Sequence, residues 1–463
     1  MNTLIRNGVV CFPGEHFQAD LMIENDTISF IGAAGSVQDH EADQIFNADD
    51  MYVCPGGIDP HTHMDLQQSE KYRAIDTFAS GGIAAACGGT TTIIDHMANG
   101  PKGCSLWHQF HVYEKLAADC PVDYSFHGVL QDIDPQILDE LGDIIDVGFP
   151  SFKAYTTYGY PFTEEQLLPV LRIMKEHHGL LTVHCENDAI TTLLRSELDE
   201  HAMTPIHQAL TRPNVAESEA IDMVLSVARV CQDAPIYIVH LSTHEGLAQI
   251  KLARANGQNN IYAETCPQYL LLTDEKFEQG GPSEGIKYIM APPLRKKQDN
   301  NALWQALQEG EIQVVATDHC PFSLQDKQEN TSDFRQCPGG VSGVEERMLL
   351  LFGKGVQGKR ISLERFVEVT STNAAKIFGL YPQKGTLLPG SDADIVVIDP
   401  HRSHTFSKDN LHTKCGYSPY ENMAVPCSVA AVFLRGKKIA AYNHFVGELG
   451  YGNLLKRKRR FES

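Results

Sequence analysis

Eight short apolar, β-rich runs alternate with longer helical segments over about 320 residues, and this rhythm limits the folds open to the chain. The runs are Tyr52–Ile58, Thr91–Asp95, Tyr124–Leu130 and Pro150–Tyr155, then Leu180–His184, Ile236–Leu241, Ile261–Thr265 and Ile312–Thr317. Segments of helical character separate them, among them Thr163–His178, Val215–Gln232 and His244–Asn256. Eight such strands predict an α/β fold with a closed parallel (β/α)8 TIM-type barrel carrying insertions. A doubly wound open sheet would alternate as well. The strand count and the lack of a Gly-x-Gly-x-x-Gly turn disfavour it.

Both chain ends are written differently. Residues 1–54 contain short alternating segments (LIRNGVV, ADLMIEND, TISFIGA) separated by Gly, Asn and Asp, the pattern of a small antiparallel sheet. DADIVVIDP and SVAAVFLRGKKIAAYN repeat that pattern near the other end. The expected organisation is one small β-sandwich built from residues 1–54 and 381–440, a barrel over 55–380, and a tail over 441–463. At 463 residues, two to three domains are the ordinary expectation.

A net charge of −21 and an isoelectric point near 5.3 argue against nucleic acid as a partner. The one basic cluster, Lys456–Arg460, reads as a solvated or subunit-contacting tail. No apolar run approaches the roughly 18 residues of a membrane span. The opening MNTLIRNGVVCFPG is punctuated too early for a signal peptide, so a cytoplasmic location is expected. The 12 cysteines include no Cys-x-x-Cys pair, which fits reduced, structural thiols.

Barrel enzymes keep their chemistry at the C-terminal ends of the strands. The first strand runs into PGGIDPHTHMD, which presents His61 and His63 one residue apart and so on one face of a strand. The fourth carries Lys153, the fifth ends in His184, the sixth brings His240 and the eighth ends in Asp318. Imidazole is the commonest neutral ligand for divalent transition metals. Lysine is the odd member, because an ammonium has only donors. Either Lys153 pairs with Asp318 or Glu186, or carbon dioxide converts its amine to an anionic carbamate able to bridge two cations.

PGGIDPHTHMD, GGTTTIIDH, SFKAY, TVHCEND, YIVHLS, ETCPQYLLL, APPLR and ATDHCPF together resemble the cyclic amidohydrolases. The likeness runs in order along essentially the whole chain. It is strongest to the dihydropyrimidinase and hydantoinase branch, in particular its bacterial D-hydantoinase (phenylhydantoinase) members. The resemblance implies hydrolysis of 5-substituted hydantoins to N-carbamoyl amino acids at a binuclear centre, usually zinc, bridged by carboxylated Lys153 and a hydroxide. By position, His61, His63 and Asp318 would bind one metal and His184 and His240 the other. Asp318 would move the proton, and Tyr158 would hydrogen-bond the developing oxyanion. The resemblance also implies a homotetramer with Tyr451–Ser463 as a subunit contact.

Two family motifs are altered. Ser-Pro-Pro-Leu-Arg becomes Ala291-Pro292-Pro293-Leu294-Arg295, and Pro-Asn-Gly becomes Pro338-Gly339-Gly340. In the family these positions hold the ring's amide edge chiefly through main-chain groups, which Ala291 and Gly339 retain. The alternative reading is a dihydropyrimidinase. Allantoinase and dihydroorotase are weaker, because the arginine that dihydroorotases carry after the second histidine is Asp65 here. A non-catalytic homologue is disfavoured by the intact ligand set.

The neighbouring residues take supporting roles in this reading. His96 and His127 read as structural, Asp95 and His319 as orienting groups, and Glu264 and Gln268 as support. Specificity is expected from Met64, Leu66 and Tyr72 after the first strand and from Tyr155, Tyr158, Tyr160 and Phe162 after the fourth. No arginine or lysine stands ready in either loop, apart from Lys71 and Arg73 further along the first. That composition predicts a preference for 5-aryl hydantoins over dihydrouracil, with the D-enantiomer preferred by resemblance.

Overall fold

The computed structural model describes residues 2–199 and 203–459. The chain opens with β1 Asn2–Phe12, β2 Glu15–Glu24, β3 Thr27–Ala33, β4 Gln44–Asn47 and β5 Tyr52–Pro55. Eight parallel strands follow: β6 Gly57–Thr62, β7 Thr90–His96, β8 Asp123–Val129, β9 Ser151–Tyr155, β10 Leu180–His184, β11 Ile236–Ile238, β12 Ile261–Thr265 and β13 Val314–Val315. They neighbour one another in sequence order. A parallel bridge from Thr62 to His319, with His63 N–H donating to His319 O at 2.9 Å, joins the last strand to the first. The result is the expected (β/α)8 barrel.

The last strands are β14 Ile395–Asp399, β15 His404–Thr405, β16 Ala424–Val425, β17 Ser428–Leu434, β18 Lys437–Ala441 and β19 His444–Phe445. All but β15 and β16 join β1–β5 in one nine-stranded sheet, through the antiparallel pairing of β14 with β5. The two chain ends therefore share a single sheet. It is mixed rather than purely antiparallel, since β4 and β5 pair β1 in parallel. Ile5, Val10, Leu21 and Ile23 from one end and Val397, Ala431 and Phe433 from the other enclose one apolar core.

The expected first barrel strand, Tyr52–Ile58, is divided. Tyr52–Pro55 belongs to the mixed sheet and only the residues after Gly56 enter the barrel. Gly56 is the crossing point because a Cβ there would lie 2.2 Å from Thr91 Oγ1. Buried Arg347 reinforces the barrel seam, donating Nη1 to Ile58 O at 3.1 Å and to Val315 O at 2.9 Å. Ile58, Ile94, Leu180, Tyr237 and Val314 pack together inside with Phe378.

Barrel and sheet are tied by ions as well as by packing. Lys384 Nζ lies 2.7, 2.9 and 2.6 Å from carboxylates of Asp123, Asp392 and Asp394. This acidic triple already holds a built-in cation. The solvated reading of the basic tail fails at Arg457, which is buried and donates to Phe126 O and to Ser125 and Ser151 hydroxyls at 2.6–2.9 Å. The tail to that point lies against this chain's own barrel, with Leu455 N–H on Tyr124 O at 2.7 Å. The end of the cluster, Arg460, falls outside the described residues. Among the described residues no helix is long and apolar enough to cross a membrane.

Candidate active site

Four imidazoles line up across the C-terminal mouth of the barrel. Ring centroids step from His63 to His61 at 5.1 Å, His61 to His240 at 5.4 Å, and His240 to His184 at 4.4 Å. Asp318 closes on the first pair, its Oδ1 3.2 Å from His61 Nε2 and 3.0 Å from His63 Nε2. Ligand atoms of these three residues all lie within 4.8 Å of one another. His240 and Asp318 reach these places by leaving the strand early, with φ of +38° and +53°. Non-glycine residues rarely adopt that region, and such strain collects at functional sites.

The protonation pattern follows from what stands behind each ring. Glu264 on β12 meets His61 Nδ1 and also accepts His240 N–H at 3.1 Å and Tyr237 O–H at 2.8 Å. His61 therefore carries its proton on Nδ1 and turns a bare Nε2 toward Asp318. Glu186 does the same for His184, meeting Nε2 at 2.7 Å and leaving Nδ1 bare, 2.8 Å from His240 Nε2. Burial opposes ionisation of Glu186, but Arg212 and His184 hold its carboxyl at about 2. Burial also opposes charge on Asp318, yet His61 and His63 keep it well below the usual range. Burial pushes His63 down to about 4 and His240 well below its ordinary value. Imidazole nitrogens that share protons among themselves and with an ionised carboxylate form a donor set that fits cations once those protons leave.

Lys153 lies in the same floor, fully buried, its Nζ in no hydrogen bond or ion pair among the described residues and 5.3 Å from the Tyr155 ring centroid. Its pairing with Asp318 or Glu186, which sequence left open, does not occur. Burial lowers its ammonium to about 8, so an appreciable fraction is free amine near neutral pH. An unprotonated, desolvated amine is the form that adds carbon dioxide.

The floor opens into a cavity of about 430 Å³ lined by His63, Lys153, His184 and Asp318 below and by Leu66, Tyr155, Tyr158 and Tyr160 at the side. Tyr158 is 40% exposed, with its hydroxyl 3.5 Å from His184 Nδ1. Ala291 and Gly339 both line the cavity. The main chain of Gly339 is engaged by Gln68, whose amide accepts its N–H at 3.1 Å and donates to its C=O at 2.8 Å. The specificity set contracts here. Met64, Tyr72 and Phe162 are buried in the core; a Cβ on Gly81 would lie 2.2 Å from the Met64 sulfur.

The residues read as support pack around this floor; His96 lies against His61 and His127, with neither of its own ring nitrogens hydrogen-bonded among the described residues. His127 is held by Ser151 Oγ at 2.7 Å and Pro60 O at 3.0 Å, and Asp95 accepts Met64 N–H at 2.8 Å and Thr62 O–H at 2.7 Å. Asp76 Oδ2 lies 3.1 Å from His319 Nε2, and Gln268 donates to Thr317 O at 3.0 Å. Sequence reading missed Arg195, Gln208, Arg212, Phe334 and Arg335 in the cavity wall. No local pattern marks them, because they come from the long segments after β10 and β13.

The sequence profile of the Amidohydrolase family matches residues 52–439. The chain belongs to this family. Among its amidohydrolase relatives, the D-phenylhydantoinase of Escherichia coli O1:K1 / APEC is 45% identical over 461 residues, 99% of this chain and 98% of that one. The dihydropyrimidinase from Brevibacillus agri NCHU1002 superposes with a TM-score of 0.95 at 38% identity, covering 100% of both chains. The D-hydantoinase from a Bacillus sp. AR9 gives 0.94 at 38% identity, again over 100% of both.

Proposed function

We propose that this amidohydrolase opens the cyclic amide of 5-substituted hydantoins to N-carbamoyl amino acids, as a D-hydantoinase (phenylhydantoinase) does. One observation carries the reading: the His63–Lys153–His184–Asp318 floor and the Tyr155–Tyr158–Tyr160 wall belong to one cavity. A second reading, dihydropyrimidinase, is favoured by the likeness to the Brevibacillus agri enzyme.

His61, His63 and Asp318 would hold one divalent cation and His184 and His240 another, with a carbamate on Lys153 joining them. Imidazole with carboxylate oxygen suits zinc. When bound, two such cations lower the pKa of a shared water and polarise the ring carbonyl. The carbamate forms as the free Lys153 amine bonds to the carbon of carbon dioxide and releases one proton. Asp318, ionised, receives the proton of the attacking water on a carboxylate oxygen and delivers it to the ring nitrogen as the C–N bond breaks. Tyr158 O–H faces the same space and donates to the oxygen that gains charge. Main-chain groups at Ala291 and Gly339 would hold the ring's amide edge, once Gln68 yields Gly339. A cytoplasmic homotetramer completes this reading; light scattering and cell fractionation test it.

The deciding experiment loads the purified protein with zinc and compares kcat/KM for both enantiomers of 5-phenylhydantoin with that for dihydrouracil. D-Phenylhydantoin is expected to be preferred, giving N-carbamoylphenylglycine by mass. Equal or better efficiency with dihydrouracil would move the chain to the second reading.

A further inference from the structure

Three arginines, Arg195, Arg212 and Arg335, stand in the wall of the substrate cavity of a chain whose net charge is −21. Two of them are matched. Arg212 is paired with Glu186 beneath the Tyr158 ring, its guanidinium carbon 5.6 Å from the ring centroid. Arg335 forms a two-point pair with Asp333, Nε to Oδ1 at 2.9 Å and Nη2 to Oδ2 at 2.8 Å. Arg195 is different. It projects from the last turn of helix Asp188–Ser196, and among the described residues no carboxylate lies within ion-pair distance of it.

Arg195 is nevertheless held in place. Its Nη2 donates to Gln208 Oε1 at 3.2 Å, and Gln208 is anchored by donating its own amide to Met290 O at 2.7 Å. The Phe334 ring lies 5.9 Å from the guanidinium carbon. Arg195 Nε is buried and has no acceptor. Burial and then the neighbouring Arg212 charge lower the guanidinium to about 10, with the Glu186 carboxylate, already paired to Arg212, acting the other way. A fixed, partly desolvated cation with a spare N–H calls for an anionic acceptor, and a guanidinium takes carboxylates in two-point geometry.

We propose that Arg195 is a specificity-determining residue that binds a carboxylate on the substrate's exocyclic substituent, so that the preferred substrates are cyclic ureides with an acidic, aryl-bearing side group. The proposal rests on the ring-opening function above. The aromatic wall of Tyr155, Tyr158 and Tyr160 takes the flat part of the substituent, and Arg195 with Phe334 takes its charged end. The long-range field of an acidic protein opposes an anionic ligand, so the preference must come from this local contact, which salt screens less than it screens the exposed charges.

The test uses the zinc-loaded enzyme and two near-isosteric substrates, 5-(4-carboxyphenyl)hydantoin and 5-(4-carbamoylphenyl)hydantoin, with 5-phenylhydantoin as reference. Wild type is expected to favour the carboxylate over the amide by about 10-fold in kcat/KM, the scale of one charge-assisted hydrogen bond. Arg195→Gln should bring that ratio close to one, mainly through KM, and Arg195→Lys should retain part of the preference. Calorimetric binding of both substrates to Asp318→Asn protein supplies a readout independent of turnover. Turnover of phenylhydantoin with no carboxylate preference, or a preference that survives Arg195→Gln, overturns the role of Arg195 alone. A carboxylate preference in binding with no ring opening of any hydantoin overturns the ring-opening reading and leaves Arg195 as an anion site.

Discussion

Glu264 offers the sharpest test of how the centre is prepared. Its carboxylate accepts from three buried donors: His61 Nδ1, His240 N–H at 3.1 Å and Tyr237 O–H at 2.8 Å. Glu264→Ala strands all three, and each buried donor without a partner costs about 1–3 kcal/mol. Water entering the vacated volume can serve one or two, so the expected loss of stability is roughly 3 kcal/mol. The larger effect is chemical. Without an acceptor at Nδ1, the His61 proton is free to move to Nε2, the atom that faces Asp318 at 3.2 Å and is needed bare for a cation. Zinc affinity should fall about 10–100-fold, the usual consequence of losing such a partner. Glu264→Gln is the control, because its amide oxygen can serve His61 and His240 while its NH2 donates to Tyr237. It should stay within about 10-fold of wild type. Zinc competition against a chromophoric chelator, with thermal melts of the metal-free protein, reads both effects. Glu264→Ala with wild-type zinc affinity, or Glu264→Gln as weak as Glu264→Ala, would refute the tautomer argument.

Lys153→Ala should abolish turnover, with short carboxylic acids restoring part of it in place of the carbamate; full binuclear metal occupancy in an active Lys153→Ala enzyme would end the bridging role. Only the free amine adds carbon dioxide, so reactivation of metal-free enzyme at fixed dissolved CO2 should accelerate as pH rises through about 8, where the buried ammonium loses its proton. A rate flat across that range counts against carboxylation of Lys153. Asp318→Asn should cut kcat by about 10²–10⁴-fold, the worth of a positioned acid–base group; near-normal turnover removes Asp318 from that role. Gln68 occupies the N–H and C=O of Gly339 with two hydrogen bonds, so Gln68→Ala should lower KM by about 2–10-fold with kcat unchanged. An unchanged KM would show that substrate does not compete with Gln68.

The strand-end residues were legible because a closed barrel leaves them nowhere else to go. Once eight parallel strands are recognised, the side chains at their C-terminal ends must converge, and His61, His63, Lys153, His184, His240 and Asp318 do lie together. The cavity wall was not legible. Met64 reads as a loop residue beside the site, but it is drawn into the core against Gly81 on helix Phe78–Cys87. Arg195, Gln208 and Phe334 lie in segments whose path over the mouth depends on tertiary packing rather than on any period in the sequence.

The strand boundaries carry a related lesson about how the histidines and the aspartate come to face one another. Apolar periodicity extends the sixth run to Leu241 and the eighth to Thr317, yet regular pairing stops at Ile238 and Val315. The chain leaves the extended conformation just where function needs it to, at His240 and Asp318 with their positive φ. Each such residue costs on the order of 1–3 kcal/mol, and neither histidine nor aspartate in a β-rich run announces it. The compensation is visible around them: Glu264 accepts His240 N–H, and Asp59 accepts Thr317 O–H at 2.6 Å and N–H at 3.2 Å, one residue before Asp318. Asp59 in turn lies 3.9 Å from buried Arg347, which spans the seam between the first and last strands. The strained geometry of the ligands and the closure of the barrel thus draw on the same buried polar network. Arg347→Met should therefore lower zinc affinity as well as thermal stability, although Arg347 touches no ligand, and wild-type zinc affinity in a destabilised Arg347→Met protein would show that the two are independent.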